Sequence, residues 1–577
     1  MQFNHKKNNK HTEIMKKSIF IALLANILLF ASTQSQTLQT NRLSEKIDSL
    51  MELRQKPDEP GGVIAVIHNN NVLHQKAYGV KDWETGAKNT KNTLIDLASV
   101  AKQFTAFAIL LLEEQGKLDL DADIRQYLPE LPQYEYTITV RHLLQHTSGI
   151  ASTDLLRIFG DIHLDVEWTH QDELSLIKKY AQLNFEPNTS FVYSNGGYSL
   201  LASIVESVSG MHFAEFLREN IFEPLGMNSS LVNYTAGQEI TQLAKGYRSI
   251  PDGFEHISSV NDYSYGSGNV LSSLNDMILW GKNFLNPKVG NEQLMDRIFN
   301  TYNTLENGDT LTYTYGFYIR DRRGLRVVEH QGGVPGFTSN MAIYPEENLV
   351  IIVMLNNQSI GSIALTNSIA GLLLSEKFTP VELEKPKVEI TLDPEKAEPF
   401  KGTYRMEDGM EMTFAIEDDE FWILLPGDTK FRLYPYSETH FFMKEIEVTV
   451  SFIPENDGEV NQMIWKQHGR DNYASRVVET EPLSMEQLAL FAGDYYQPYL
   501  ETDYPVLLED DRLKVLMPSA IKTYLGFETV QLSHLRDDLF ATDFLGIMEF
   551  TRNENGQVNG FTIFSVGRLK DIVFLKK

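Results

Sequence analysis

At 577 residues the chain exceeds what one hydrophobic core organises, and a working figure of about 150 residues per domain predicts three or four units. A composition of 42% hydrophobic and 11% aromatic residues excludes a disordered chain, and a net charge of −27 repels phosphate backbones and so excludes nucleic acid as a partner. The absence of cysteine excludes disulfides, thiolate catalysis, thiolate zinc sites and a lipidated N-terminal cysteine.

In chain order, the first feature is Lys16-Lys17 before the apolar stretch Ile19 to Ala31, which small and polar residues follow (Ala31-Ser32-Thr33-Gln34-Ser35). This is the pattern of a signal peptide, assigned to residues 1–35 with Met15 as an alternative start, and it is too short for a membrane span. It predicts a periplasmic or secreted protein.

From residue 36 to 378, strand-like and helix-like segments alternate. Gly62 to His68, the turn Asn69-Asn70-Asn71 and Val72 to His74 predict a hairpin. Ser99 to Gln115 is apolar at helical spacing and stops at Gly116. The strand-like run Leu349 to Leu355 precedes a helix ending near Ser375. Strands at both ends with helices between them predict an α+β or α/β enzyme domain.

Residues 379–398, with Pro380, Pro386 and Pro394 among alternating charges, are read as a linker. Short alternating strands follow, predicting two small all-β barrel-like modules at 399–481 and 482–577. They read as tandem copies. Phe400-Lys401-Gly402-Thr403-Tyr404 recurs as Phe491-Ala492-Gly493-Asp494-Tyr495, and Glu417-Asp418-Asp419 as Glu509-Asp510-Asp511. Aromatics such as Phe421-Trp422 and Phe441-Phe442 are expected to fill barrel cores.

Three elements carry chemistry. Ser99-Val100-Ala101-Lys102 places a hydroxyl and an amine three residues apart on one helical face, and a serine needs such a base to become a nucleophile. Burial by the apolar flanks would lower the lysine pKa, and the helix N-terminus offers N–H groups to an oxyanion. Tyr193-Ser194-Asn195 lies in a glycine-bearing turn before a helix; the tyrosine is expected to act as a phenolate base if the lysine lowers its pKa, then as the acid for the leaving group. His330-Gln331-Gly332-Gly333 follows a strand and lets a substrate backbone approach. Each motif alone is common.

In this order, with Leu143 to Ile150 between the first two, the elements resemble the serine β-lactamase-like family, which includes class C β-lactamases, D-alanyl-D-alanine carboxypeptidases and related esterases and peptidases. The resemblance covers roughly Gly62 to Leu374. It implies a β-lactamase/transpeptidase-like domain, an antiparallel sheet flanked by helices, with lipocalin-like β modules behind it. It further implies that Ser99 forms an acyl-enzyme, that Lys102 and Tyr193 are its base system, and that Asn195 completes the second motif. The backbone N–H groups of Ser99 and Gly333 would form the oxyanion hole, and Tyr263 to Asp276 would border the site. No metal or organic cofactor is implied.

His330 departs from the lysine that class C lactamases keep in K-T-G, replacing a fixed cation by a group that titrates near pH 6.5. That favours peptides or esters over penicillins as substrates. A β-lactamase proper and a catalytically silent ligand receptor are the alternatives, and an oligomer is allowed. His142 and His146, four apart, are read as parts of a structural turn rather than metal ligands.

Overall fold

The structure is a computed structural model describing residues 41–577 apart from 258–260, 381–386, 407–409, 426–428, 445, 456–457, 468–469, 478–482 and 543. The predicted signal peptide lies outside the described residues.

Asn69 and Asn70 take left-handed φ values of +48° and +63°, which asparagine tolerates, and fold strand Gly62–His68 antiparallel onto Asn71–Tyr78. Asn71 thus belongs to the second strand rather than to the turn. Gly62–His68 also pairs antiparallel with the distant strand Leu349–Leu355, Gly62 opposite Leu355. A seven-stranded antiparallel sheet results, in the order Tyr313–Thr314, Phe317–Arg322, Leu325–Val334, Phe337–Tyr344, Leu349–Leu355, Gly62–His68, Asn71–Tyr78. Leu349–Leu355 is buried along its whole length because both faces of the sheet are covered. Val350, Ile352 and Met354 face the helical core, whereas Ile351, Val353 and Leu355 meet Ile47 and Met51 of the helix at 41–52 and Leu365 and Ile369 of helix Ser362–Leu374.

The main helical layer holds Lys102–Glu114, buried over most of its length, beside Asn195–Ser209. Ser99 lies just ahead of the first of these, in the 3₁₀ turn Ala98–Ala101 rather than in the α-helix itself. No single helix among the described residues is long and apolar enough to cross a membrane.

Both C-terminal sheets are all-β. Gly402–Met406 through Arg470–Arg476 form a closed eight-stranded barrel, its first strand paired with its last through Tyr404 and Arg476. The second sheet has nine strands between Tyr495–Gln497 and Leu569–Lys576, and its ends are drawn together by a bridge between Gly493 and Val506. Matching residues do matching jobs: Tyr404 donates its hydroxyl hydrogen to the Phe400 carbonyl at 2.9 Å, and Tyr495 to that of Phe491 at 2.7 Å. Of the aromatic pairs expected in the first core, Phe421 and Phe441 are buried there. Trp422 and Phe442 are only half-buried, because successive strand residues face opposite sides. Leu392 and Ala397, within the stretch read as a linker, join the same core.

Candidate active site

The short strand Ile95–Asp96 pairs with Val270–Ser272 and leads into a turn held from several sides. Ala98 sits at φ +48°, a left-handed conformation that costs a residue with a Cβ on the order of 1–3 kcal/mol and persists only where surroundings impose it. Here the Asp96 carboxylate accepts from Ala98 N–H at 2.8 Å, and the Leu97 carbonyl accepts from the Ser339 hydroxyl at 2.7 Å. Gly332 is required below the turn, because a Cβ there would come within 2.3 Å of the Leu97 carbonyl oxygen. The outcome is a half-buried Ser99 facing outward from a rigid seat.

Residues three apart eclipse in a 3₁₀ turn, which brings Lys102 Nζ to 3.3 Å from Ser99 Oγ. Lys102 is fully buried, 2.8 Å from Asn195 Oδ1 and 2.7 Å from the Ser267 carbonyl oxygen. Burial, reinforced by the positive charge of Arg568, pushes its pKa well below the usual lysine range, against smaller opposing effects of Asp154 and Glu173. A neutral amine has two N–H donors and one lone pair. In that form the two carbonyl oxygens would take the donors and leave the lone pair for the hydroxyl hydrogen of Ser99, whereas in the charged form Lys102 donates to Ser99 Oγ.

The turn before helix Asn195–Ser209 supplies Tyr193 and Asn195. Ser194 caps that helix through its hydroxyl, which accepts from Gly197 N–H at 3.1 Å, and Asn195 N–H donates to Ser152 Oγ at 3.2 Å, so the amide that holds Lys102 is itself fixed. Lys102 Nζ lies 4.9 Å from the centre of the Tyr193 ring. Burial pushes the Tyr193 phenol well above its ordinary pKa, and nearby Ser99 offsets this only in part. The phenol makes no hydrogen bond of normal geometry. The surroundings thus push the Tyr193 phenol and the Lys102 amine in opposite directions, the phenol toward keeping its proton and the amine toward losing one.

His330 is buried on strand Leu325–Val334. Its Nδ1–H donates to the Gln331 carbonyl at 2.6 Å and its Nε2 accepts from the Tyr313 hydroxyl at 3.1 Å. Burial, with Lys102 adding to it, pushes its pKa down to about 3, so it is neutral at ordinary pH and supplies no cation. Pairing with Phe317–Arg322 stops at Glu329 while pairing with Phe337–Tyr344 runs on to Val334, freeing one edge at His330–Val334. On that edge Gly333 is exposed, with open space where a Cβ would point.

The two spaced histidines serve the backbone. His142 Nδ1 accepts from Thr139 N–H at 3.3 Å and His146 Nδ1 from Ser194 N–H at 3.1 Å. The His146 ring packs 4.2 Å from that of Tyr193 and 4.5 Å from that of Tyr313.

The sequence motifs did not disclose several groups found here. Tyr313 and Tyr318 back His330, and the aromatic run Tyr313 to Tyr318 was their available signal. Gly316 in that run has φ +81° and passes so close to Lys102 that a Cβ would lie 2.7 Å from its carbonyl oxygen. Ser267 falls within the loop expected to border the site. Arg568, from the second β module, places Cζ 4.8 Å from the Tyr193 ring centre, and nothing in its surrounding sequence announces this.

A nucleophile turn, a buried amine and a phenol on one antiparallel sheet with a helical layer define a serine hydrolase of the penicillin-recognising type. The chain belongs to the beta-lactamase family, whose model matches residues 44–371. Residues 386–477 match a domain of unknown function (DUF3471). Among its relatives, a penicillin-binding protein of Bacillus subtilis (strain 168) is 27% identical over 440 residues, covering 73% of this chain and 96% of that protein. A D-aminopeptidase of Gluconobacter oxydans (strain 621H) is 27% identical over 316 residues, covering 54% of this chain and 59% of its own length. In fold the chain is similar to the octameric penicillin-binding protein homologue from Pyrococcus abyssi, with a TM-score of 0.52, 23% identity and coverage of 75% and 99%. It is similar also to the D-amino acid amidase from Ochrobactrum anthropi SV3, with a TM-score of 0.50, 22% identity and coverage of 59% and 99%.

Proposed function

We propose that the protein is an exported acyl-transfer hydrolase that cleaves amide bonds of small D-amino-acid-containing peptides, through an ester formed on Ser99. The observation that carries this reading is the fully buried Lys102 amine 3.3 Å from Ser99 Oγ, held there by Asn195 Oδ1 and the Ser267 carbonyl oxygen. As Ser99 Oγ attacks the substrate carbonyl carbon, its proton passes to Lys102 Nζ. The Ser99 and Gly333 N–H groups face the resulting oxyanion. The proton then passes by way of the Tyr193 hydroxyl to the leaving nitrogen, the C–N bond breaks, and the amine departs. Water attacks the ester, gives up a proton along the same path in reverse, and releases the acid with Ser99 restored.

The names of the D-aminopeptidase and amidase relatives support a D-amino-acid amide substrate. Export rests on the Lys16 to Ser35 pattern, which predicts a periplasmic or secreted mature protein starting near Gln36; N-terminal sequencing of secreted material checks this.

The deciding experiment is labelling with a fluorophosphonate. Wild type is expected to gain one adduct on Ser99 and Ser99→Ala none, with turnover of a D-alanyl anilide falling at least ~10⁴-fold. Equal labelling of both proteins would remove Ser99 from the mechanism.

A further inference from the structure

The hairpin of strands Val558–Val566 and Leu569–Lys576 turns at Gly567-Arg568. That turn is fastened to the hydrolase domain by its backbone. The Arg568 carbonyl accepts from Asn184 Nδ2 at 2.9 Å, Lys570 N–H donates to Asn184 Oδ1 at 3.0 Å, and Gln182 Nε2 donates to the Asp571 carbonyl. Gly567, at φ +58°, lies so close to helix Thr153–Phe159 that a Cβ would stand 3.0 Å from Leu155 Cδ1.

Its backbone thus anchored on both sides, Arg568 lays its guanidinium against the Tyr193 ring, and its side chain remains 43% exposed. The nearest carboxylate, Asp154, is 3.7 Å away; Asp154 is itself held by the Ser152 hydroxyl, which donates to it at 2.5 Å. An ion pair this loose and solvated holds little energy. Among the described residues the Arg568 guanidinium makes no hydrogen bond, so its fork of donors is available. The other candidates at the mouth are spent: Lys102 is driven toward the neutral amine, His330 and His146 are neutral by burial, and Arg320 is bound to Glu329 at 3.0 Å.

We infer that Arg568 is the carboxylate-reading residue of this active site, supplied by the second β module in place of a cation on strand Leu325–Val334. Arg568 lies on Tyr193, the group that hands a proton to the leaving nitrogen, so the anion it reads belongs to the leaving group. The substrate class is therefore a peptide with a free C-terminal carboxylate, from which the terminal residue is released. A planar guanidinium presents more than one edge, so a substrate carboxylate binds without displacing Asp154. This inference rests on the acyl-enzyme reading above and adds the identity of the leaving group.

The test compares one acyl-D-alanyl-D-alanine peptide with its C-terminal amide, using the full chain and its Arg568→Gln and Arg568→Lys variants. Wild type is expected to prefer the carboxylate. Arg568→Gln should lower the carboxylate-to-amide ratio of kcat/KM on the order of 10- to 100-fold, the range a charge-assisted hydrogen bond supports. Arg568→Lys should restore part of the preference. Removing this cation also raises the lysine pKa, so the acid limb of kcat/KM moves to higher pH for both substrates alike, and the ratio between them isolates carboxylate reading. Equal losses on the two peptides, or a wild type indifferent to the carboxylate, would overturn the inference. Fluorophosphonate labelling of Ser99 in the same preparations separates the two failures: a labelled but indifferent wild type sinks only the Arg568 assignment, whereas an unlabelled wild type sinks the acyl-enzyme beneath it.

Discussion

The two C-terminal β modules share a turn pattern and differ in employment. Both fold an acidic pair into a left-handed turn, Asp418-Asp419 at +50° and +62° and Asp510-Asp511 at +49° and +61°, and both tie a tyrosine back to a phenylalanine carbonyl. The first closes on itself, and its core, from Leu392 to Ala474, is its own. The second shares a core with the hydrolase domain. Leu156, Phe159, Trp168 and Leu176 pack with Tyr495, Leu500, Tyr504 and Phe574, and the Tyr504 hydroxyl donates to the Phe159 carbonyl at 2.7 Å. The polar fringe repeats the attachment: Asp161 accepts from the Ser519 hydroxyl and Ala520 N–H, and Leu164 N–H donates to Tyr524. The same β pattern therefore serves as a self-contained unit in one copy and as a wall of the enzyme in the other. Residues outside the repeated signature decide which.

The largest expected effect follows from that shared core. Deleting residues 483–577 uncovers Leu156, Phe159, Trp168 and Leu176, and soluble, active protein should be lost. In-frame removal of 387–477 should leave turnover within about threefold, since that core is separate. Soluble yield and anilide turnover of the two deletions decide; an active protein lacking 483–577 would break the contrast.

Calorimetry sharpens it. Leu156→Ala should cost ~2–5 kcal/mol and lower the transition in which hydrolase domain and second module unfold together, whereas Val450→Ala should lower only the transition of the first module. Matching shifts in both transitions from either variant would mean that the modules are not independent.

Acid should separate the units further. Burial lowers the pKa of His74 to about 4 and of His170 and His330 to about 3, all in the hydrolase domain. The unfolded chain takes up these protons first, near pH 6.5, so this stability is complete above that pH and is lost progressively as pH falls toward 3. The melting temperature of the shared transition should drop between pH 7 and pH 5, and His330→Asn should drop less. The smallest effect belongs to the exposed pair Lys179–Glu501 across the same interface, 2.9 Å apart. Lys179→Ala should change stability by under ~0.5 kcal/mol in denaturant unfolding.

Much of the candidate site's geometry was legible in the sequence because local spacing sets local geometry. Ser99 and Lys102 are three apart and meet in either kind of helical turn, and Tyr193 and Asn195 share one tight turn. The repeat was legible for the same reason, since strand alternation and turn residues are local. The upward push on the Tyr193 phenol was not, because it comes from burial, with smaller electrostatic contributions from Tyr318 and Tyr198, rather than from its neighbours in sequence. Arg568 was least legible of all. Its turn meets Asn184, 384 positions away, and a Gly-Arg hairpin tip carries no mark of the surface it will touch.

The sheet carries a kinetic consequence. Its central pairing joins Gly62–His68 to Leu349–Leu355, so strands from opposite ends of the hydrolase region must meet before either can be buried. Closing so long a loop is slow, and until it closes the apolar helix Lys102–Glu114 has no sheet to cover it. Stabilising the strand ends of that one pairing should therefore speed folding more than equal stabilisation of the local hairpin Gly62–Tyr78.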